Sequence, residues 1–588
     1  MEQRKEQQKE QRVYAAFGRG ARRDWKRAAR RTVFSHYWMA IMVCLVAAFL
    51  GTEFTGSLES LHFTRQKWDV ISNFLASFGR PGAAANSRGV FAIAVNKIAD
   101  GSLQNIVNNT IMSLAGSSEF WQSFGIVVSS LVSMTYWVLV THTFVVILRR
   151  LFMEMRVYEE VPPYRALYLH SARCWGRTSL ALLRVAVQRG LWWLTIIGGA
   201  IKTFSYYLCG FILAENPTMK GGDAIALSRK MMNGHKWECF LLELSFVPWH
   251  LLSLATFGLS SLFYSSAYLS AARCEFYAAV RAQVKAEGEA QALRDTYLFE
   301  KAGAKTLRRA YNDLGRPAEK LPARVYGNRV TRFFGECLGV TLFVNPQDVA
   351  REKIQDREYR LRYMRRCEQG LSYPIRLSPL LQYEHKDHEP ALFTRKYPVT
   401  TLVLLFFLFS IIGWCWEVVL HLLSEGTFVN RGVLHGPWLP IYGTGGVLVL
   451  LTLYKLRDKP WLEFWATVVV CGVVEYFTAY YLETVYDRRW WDYAGYFLNL
   501  HGRICAEGLL VFGLGGMAVV YGVAPLFDNL LHKVRHSVLI GLCAALIALF
   551  CVDQAYSHFH PNEGEGITDE VVYKTDDARI RLDEEAFV

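Results

Sequence analysis

Charged residues are scarce in this chain of 588 residues, and their distribution is uneven. Asp, Glu, Lys and Arg make up 20 % of the sequence, whereas soluble domains usually carry about 25 %. Long stretches lack charge almost entirely, the segments between them are rich in it, and hydrophobic residues reach 52 %. This pattern excludes a disordered protein, a coiled coil and an ordinary soluble enzyme, and it indicates a multi-pass membrane protein.

Several motifs of catalysis and metal binding are also absent from the sequence. It has no G-x-x-x-x-G-K-[ST] phosphate loop, no G-x-S-x-G nucleophile motif and no H-E-x-x-H zinc motif. The 12 cysteines form no C-x-x-C pair, and most lie in apolar runs, where a free cysteine acts as a small hydrophobic residue. We expect no cofactor, no metal and no ATPase on this chain, and we assign no catalytic residue.

Nine apolar runs are long enough to hold membrane-spanning helices. Two exceed the length of one crossing: one has Gly198 and Gly199 at its middle, which suit a tight turn, and the other is interrupted by Pro248 and Gly258. If both are hairpins the chain crosses eleven times, and otherwise nine times. The runs are 34–52, 125–148, 178–211, 239–273, 397–423, 438–454, 464–482, 504–523 and 538–552.

The placement of basic residues predicts the orientation of the chain. Residues 1–33 carry 11 Lys/Arg against 4 Asp/Glu, and residues 281–397 carry 23 against 15, whereas residues 557–588 carry 3 against 9. Cytoplasmic segments of membrane proteins are enriched in Lys and Arg. The first two segments are therefore expected inside and the acidic tail outside, which requires an odd number of crossings.

The predicted architecture is an all-α, polytopic membrane protein with two helical bundles, about 9–11 crossings and a cytoplasmic helical linker. The basic linker is interpreted as a docking platform or as a surface lying against anionic lipid. The lipid bilayer is the expected partner, and nucleic acid is not. The predicted domains are a basic cytoplasmic N-terminus (1–33), a first membrane domain (34–280), the linker (281–396), a second membrane domain (397–556) and an acidic external tail (557–588).

The first membrane domain carries the motif series SRKMMNGHKW at 228–237 and LSFVPW at 244–249, followed by EFY at 275–277. This order is similar to a bacterial membrane family classified as a domain of unknown function. The residues also predict an elbow, in which Gly221 and Gly222 break a helix, a short interfacial helix follows, and Gly234 ends it.

The second membrane domain carries GWCWE at 413–417, FVNRG at 428–432, GPWLPIYGTG at 436–445, RWWDY at 489–493 and GRIC at 502–505. This series resembles the CmpB-like, type IV family of ABC-transporter permeases. The resemblance implies a transport component of a bacterial cytoplasmic membrane. It also implies that any ATPase is a separate subunit, which would dock on cytoplasmic elements.

Five charged residues lie in or at the ends of the apolar runs of this second domain: Glu417, Glu475, Glu483, Arg503 and Glu507. A charge at membrane depth costs about 2.5–3.5 kcal/mol on insertion scales, so it faces the bundle interior or is paired. Arg503 and Glu507 are one helical turn apart and suit an ion pair along a helix. The group is interpreted as a polar pocket at the outer end of the bundle or as structural interhelical ion pairs.

Two loops, 424–438 and 484–503, fall on the external side of this topology. They are interpreted as a ligand or lipid-headgroup site, or as an aromatic belt with interfacial arginines. The two histidines in this region lack a second metal ligand at a suitable spacing, so no metal site is expected. With Tyr442, the candidates of this region are Asn430, Arg431, His435, Arg489, Trp490, Trp491, Asp492, Asn499 and His501.

Three functions remain open on the sequence. The first is a permease or transport component with an outward-facing polar pocket in the second bundle. The second is a membrane-embedded protein or enzyme that acts on a lipid headgroup, and the third is a non-catalytic envelope scaffold. The family resemblance favours the first.

Overall fold

The computed structural model describes residues 17–54, 119–256, 258–288, 292–312, 326–342, 346–379, 393–425, 429–486, 488–493, 500–562 and 569–570. The chain divides into two compact units. The first comprises residues 1–63, 94–319 and 357–388, and the second comprises residues 64–93, 320–356 and 389–588. Residues of the predicted linker belong to both units, and the predicted domain boundaries stay predictions.

The first unit is built from helices, several of them short. A π-helical segment, Trp137–Thr141, joins α3 to α4, and another, Ser261–Ser265, leads into α12. The helices are α1 Arg19–Ser35, α2 Tyr37–Phe49, α3 Glu119–Tyr136, α4 His142–Val157, α5 Tyr168–Ser171, α6 Trp175–Trp193, α7 Ile196–Ser205, α8 Cys209–Glu215, α9 Gly221–Met231, α10 Lys236–Leu244, α11 Val247–Ala255, α12 Ser266–Ala286 and α13 Ala304–Ala310, with 3-10 turns at Pro163–Leu167, Thr296–Leu298 and Ile375–Leu377.

The second unit contains longer helices and two short strand pairs. β1 pairs with β2 in parallel, and β3 pairs with β4 in antiparallel orientation. Its elements are α14 Arg329–Cys337, β1 Val340–Thr341, β2 Tyr397–Pro398, α16 Val399–Glu425, α17 Pro440–Thr452, a 3-10 turn Tyr454–Leu456, α18 Pro460–Tyr486, β3 Arg488–Arg489, α19 Ala506–Ala518, a π-helical segment Val519–Val523, α20 Ala524–Leu531, α21 His536–Phe559 and β4 Asp569–Glu570, while α15 Pro346–Glu368 has residues in both units.

Seven helices of the described residues are long and apolar enough to cross a membrane, or eight if the bent pair α1–α2 is one span. The protein is therefore an all-α, multi-pass membrane protein. The count is lower than the predicted nine to eleven crossings. Some apolar runs divide into helices that are too polar or too short: α6 contains Arg177, Arg184 and Arg189, and α17 has 13 residues.

The N-terminal helix α1 packs against protein. Ala21, Trp25, Ala29 and Val33 recur every four residues, form one stripe, and are all buried. The Trp25 ring meets Phe276 of α12 edge-on, with the ring centroids 5.6 Å apart. The apolar face of α1 is thus covered by α12, and the chain bends by 97° before α2.

The two long apolar runs of the first unit do form breaks, but one break lies elsewhere than predicted. In 178–211 the turn falls at Leu194 and Thr195, and Gly198 and Gly199 lie inside α7. The reason is packing, because a Cβ on Gly199 would lie 2.6 Å from Cδ2 of Trp193. In 239–273 the turn falls at Gly258, whose φ is +86°. The predicted elbow forms, but the break lies at residues 216–220, and Gly221 and Gly222 begin α9 rather than ending the helix before it. Gly234, with a φ of +82°, follows that helix.

Helices α16, α17, α18 and α21, and the continuous stretch from α19 to α20, run between two ends of the second unit, which we call the loop end and the basic end. The loop end comprises 429–439, 488–493, 500–505 and 560–562, and the basic end comprises 393–398, 453–459 and 532–535. Asn562 N donates to Val433 O at 2.9 Å and joins the loop end. Arg457 Nη1 donates to the carbonyl oxygens of Phe393 and Arg395, both at 2.9 Å, and joins the basic end.

Glycines bring the helices of the second unit into close contact. A Cβ on Gly443 would overlap Ser410, and one on Gly516 would overlap Thr467. These positions set α17 against α16 and α19 against α18. Small residues serve this purpose in membranes because lipid supplies no hydrophobic driving force between helices.

Candidate functional site

A large cavity opens between α16, α17, α18 and α19 within the second unit. Its volume is about 1450 Å³, more than the roughly 300–1,000 Å³ of an ordinary ligand pocket. Its lining reaches from the loop end down to Val523. The predicted site residues that line it are Glu417, Arg431, Tyr442, Glu475, Trp490, Trp491 and Asp492, and they are joined by Trp416, His421, Cys471 and Tyr493.

Glu417 is held on one side of the cavity. The Tyr442 hydroxyl donates to Glu417 Oε1 at 2.6 Å, and Arg431 Nε lies 4.0 Å from Glu417 Oε2. Tyr442 sits in the first turns of α17, directly opposite Gly413 of α16, where a Cβ would overlap the tyrosine ring. The missing side chain at Gly413 is what lets Tyr442 reach Glu417.

Glu475, on α18, faces the same cavity and has fewer partners. It is 4 % exposed. The Tyr493 hydroxyl donates to Glu475 Oε1 at 3.0 Å, while no described residue donates a hydrogen bond to Oε2. Burial and the neighbouring Glu475 carboxylate raise the pKa of Tyr493 well above its usual range, so its hydroxyl remains a donor. Glu475 thus lines the cavity as a buried carboxylate with one oxygen that accepts no hydrogen bond from the described residues.

Two tryptophans of the motif RWWDY line the cavity at the loop end. Trp490 Nε1 donates to Asn562 O at 3.3 Å, and Trp491 Nε1 donates to Arg503 O at 3.1 Å. Backbone carbonyls therefore satisfy both indole N–H groups. The rings are fixed in place and present apolar surface to the cavity.

Asn430 and His435 organise the loop beside the cavity. Asn430 Oδ1 accepts a hydrogen bond from Trp414 Nε1 at 2.6 Å, and Asn430 Nδ2 donates to His435 O at 3.0 Å. Asp553 of α21 accepts from the backbone N of His435 and Gly436 at 3.2 and 3.0 Å, and from Trp438 Nε1 at 2.7 Å. These two predicted residues hold the loop in shape, and the cavity lining does not include them.

A separate polar cluster contains Glu483, Arg503 and His501. Arg503 Nη2 lies 2.6 Å from Glu483 Oε2, and Arg503 Nη1 donates to the Tyr476 hydroxyl at 3.0 Å. His501 Nδ1 lies 2.9 Å from the same hydroxyl. The hydrogen bonds that Arg503 donates to the Glu483 carboxylate raise the pKa of Arg503. The cavity lining includes none of these residues.

The expected ion pair along a helix between Arg503 and Glu507 is wrong in its geometry. Helix α19 begins at Ala506 with Cys505 as its N-cap, so Arg503 precedes the helix. Its guanidinium turns to Glu483 on α18 instead. Asn499 and the side chains of Arg489 and Glu507 lie outside the described part of the structure.

Sequence reasoning omitted Asp553, Asn562, Trp416 and Tyr493 from the candidate list. Tyr493 belongs to RWWDY and Trp416 precedes Glu417, so both lay inside recognised motifs. Asp553 had a weaker signal, as an acidic residue directly after the apolar run 538–552. Among the described residues, no group of three or more His, Cys, Asp or Glu could hold a metal ion.

Each of the two membrane halves matches a protein family over part of the chain. Residues 404–558 match the family described as "Putative ABC-transporter type IV", which confirms the resemblance of the second half. Residues 32–284 match the family described as "Protein of unknown function (DUF975)", which confirms that of the first half. No curated protein and no solved structure matches the chain. The second half is therefore similar to a transport-related family.

Proposed function

We propose that this protein is a permease component whose second unit binds its substrate in the cavity beneath Trp490 and Trp491. The observation that carries the proposal is Glu475, a buried carboxylate without a cationic partner among the described residues, in the lining of a cavity of about 1450 Å³. Among the described residues no cation pairs with Glu475, and an unpaired buried charge is costly. A cavity of this size beside such a group suits a bound substrate.

The basic end of the second unit faces the cytoplasm of a bacterial cell in this proposal, and the N-terminus is inside. The basic end holds seven Lys or Arg residues: Arg395, Lys396, Lys455, Arg457, Lys459, Lys533 and Arg535. This concentration suits the cytoplasmic side. The cavity, which reaches the loop end, then opens outward. A cysteine at Lys353 should react only from inside, and one at Asp576, beyond the described residues, only from outside.

An ATPase subunit is the proposed partner of this permease. The chain has no phosphate loop of its own, while residues 404–558 match an ABC-transporter family. Such a subunit would bind on the cytoplasmic side. Purification in lipid should retain it, and a variant with charge reversals at Lys455 and Lys459 should lose it.

The thiol of Cys471 offers a direct test, because it lines the cavity at mid-helix in α18. A membrane-impermeant, cationic thiol reagent should modify Cys471 from outside in intact cells. In inside-out vesicles supplied with ATP and the partner subunit, it should modify Cys471 from the cytoplasmic side. Cys551, which is exposed on the apolar helix α21 and does not line the cavity, is the matched control and should stay unmodified.

Three results separate the alternatives. Labelling from both sides under the two conditions supports transport. Labelling from outside alone, in every condition, supports a headgroup-binding protein and contradicts transport. Absence of labelling in both preparations would contradict a water-filled cavity and leave a scaffold role.

A further inference from the structure

We infer that the cavity takes an organic cation with an apolar body, and that Glu475 is its principal counter-charge. This inference rests on the proposed function, since it names the substrate class of the same site. It combines the charge of the lining, one buried carboxylate oxygen and the aromatic and aliphatic walls.

The charged lining residues of the described chain are predominantly acidic. Glu417, Glu475 and Asp492 line the cavity with Arg431 as the basic residue among them. Arg431 lies 4.0 Å from Glu417 and balances that carboxylate. Glu475, which has no cationic partner among the described residues, disfavours an anionic ligand, because like charges repel strongly where water is scarce.

Glu475 distinguishes this site from a simple acidic cluster. Its side chain is nearly fully buried, one oxygen accepts from Tyr493, and the other has no hydrogen-bond donor among the described residues. A carboxylate so deep in a membrane bundle needs a positive partner or a proton. A bound cation supplies that partner.

Aromatic rings favour an organic cation over a metal ion. Trp416, Trp490, Trp491, Tyr442 and Tyr493 all line the cavity. Aromatic faces attract ammonium groups through the ring quadrupole. A divalent metal ion would need several oxygen ligands close together, and the described residues offer no such group.

The deeper part of the cavity is apolar. Phe409, Val449, Leu514, Val519 and Val523 line it on the side toward the basic end. The cavity-lining residues of α19 and of the π-helical segment after it run from Gly508 to Val523. This stretch is about 22 Å long at the α-helical rise of about 1.5 Å per residue. The site therefore accommodates a charged group near Glu475 and an apolar body below it.

The experiment compares two probes of the same shape and opposite charge, tetraphenylphosphonium and tetraphenylborate. The full-length protein in detergent should bind tetraphenylphosphonium saturably, measured by calorimetry and by quenching of tryptophan fluorescence. Glu475→Gln should weaken binding at least about tenfold, because a desolvated charge pair loses one partner. Glu475→Asp, which keeps the charge, should weaken it less.

Glu483→Gln is the matched control, since Glu483 is on the same helix but pairs with Arg503 outside the cavity. It should leave tetraphenylphosphonium binding unchanged. Melting temperatures of all variants show whether folding is retained. If Glu475→Gln unfolds, the binding affinity of Glu475→Asp is the test instead.

Two results would overturn the inference. One is equal affinity of the protein for both probes, and the other is equal loss of affinity in Glu475→Gln and Glu483→Gln. If Cys471 still becomes accessible from each side in turn, the permease proposal stands and only the assignment of a cationic substrate is wrong. If Cys471 is inaccessible throughout, the permease proposal itself fails.

Discussion

The hydroxyl of Tyr493 donates to Glu475 Oε1 at 3.0 Å and so connects the RWWDY loop to the middle of α18. Tyr493 N also donates to Gly502 O at 2.7 Å, which ties the two described parts of that loop together. The loop that covers the cavity is thereby fixed to the buried carboxylate within it. Substitutions at Glu475 should therefore alter the conformation of the RWWDY loop at the cavity mouth.

Replacing Tyr493 with Phe removes the one hydrogen bond that the described residues donate to Glu475. We expect a loss of about 1–3 kcal/mol in the free energy of unfolding, because a buried acceptor is left unsatisfied. Thermal unfolding in detergent measures the effect. Tyr481→Phe is the control, since Tyr481 is exposed on α18, the helix that carries Glu475. Equal effects of the two substitutions would show that the bond to Glu475 contributes nothing.

Arg503 should be energetically coupled to Glu483 and independent of Glu475. A double-mutant cycle of Arg503→Ala with Glu483→Gln should give an interaction energy of about 1–3 kcal/mol. The same cycle with Glu475→Gln should be additive within about 0.5 kcal/mol. Coupling between Arg503 and Glu475 would mean that the arginine reaches into the cavity.

The sequence predicted some features of this site well and others poorly. Glu475, Tyr442 and Trp491 do line one cavity. A polar group in an apolar run is costly to expose to lipid, so it faces the bundle interior. Their role in binding stays a prediction. The break at Gly258 was visible because a left-handed φ favours glycine.

The hydrogen-bond and ion-pair partners of individual side chains could not be predicted from the sequence. Arg503 and Glu507 have helical spacing, but α19 begins three residues after Arg503, and boundaries of this kind depend on tertiary contacts. Gly198 and Gly199 looked like a turn and instead make room for tryptophan rings. Asp553 lies 118 residues from His435, and no local pattern connects two such distant positions.

Asp553 should be essential for the shape of the loop beside the cavity. Asp553→Ala removes acceptors from two backbone N–H groups and from Trp438, so we expect a loss of about 3 kcal/mol or more. Hydrogen exchange of residues 429–439 should increase. Asp458→Ala, at an exposed position of the basic end, serves as control. Unchanged exchange in the Asp553 variant would contradict the assigned role.

Leucine substitutions at three glycines distinguish the effect of filling the cavity from the effect of disrupting helix packing. Gly515→Leu points a side chain into open cavity space and should preserve the melting temperature while blocking Cys471 labelling. Gly516→Leu would collide with Thr467 and should destabilise by about 1–3 kcal/mol or prevent folding.

Gly541→Leu is the control for both, since its Cβ would meet no atom within 4 Å and Gly541 does not line the cavity. It should change neither stability nor labelling. If Gly515→Leu leaves labelling of Cys471 intact, the route of access does not pass between α18 and α19.

The most direct measurement is protection of Cys471 by tetraphenylphosphonium in intact cells, read by mass spectrometry of the labelled peptide. The cation should slow modification of Cys471 by an impermeant thiol reagent in the wild-type protein and in Glu483→Gln. It should give no protection in Glu475→Gln. Protection that is absent from the wild-type protein, or that survives in Glu475→Gln, would contradict a cation site built around Glu475.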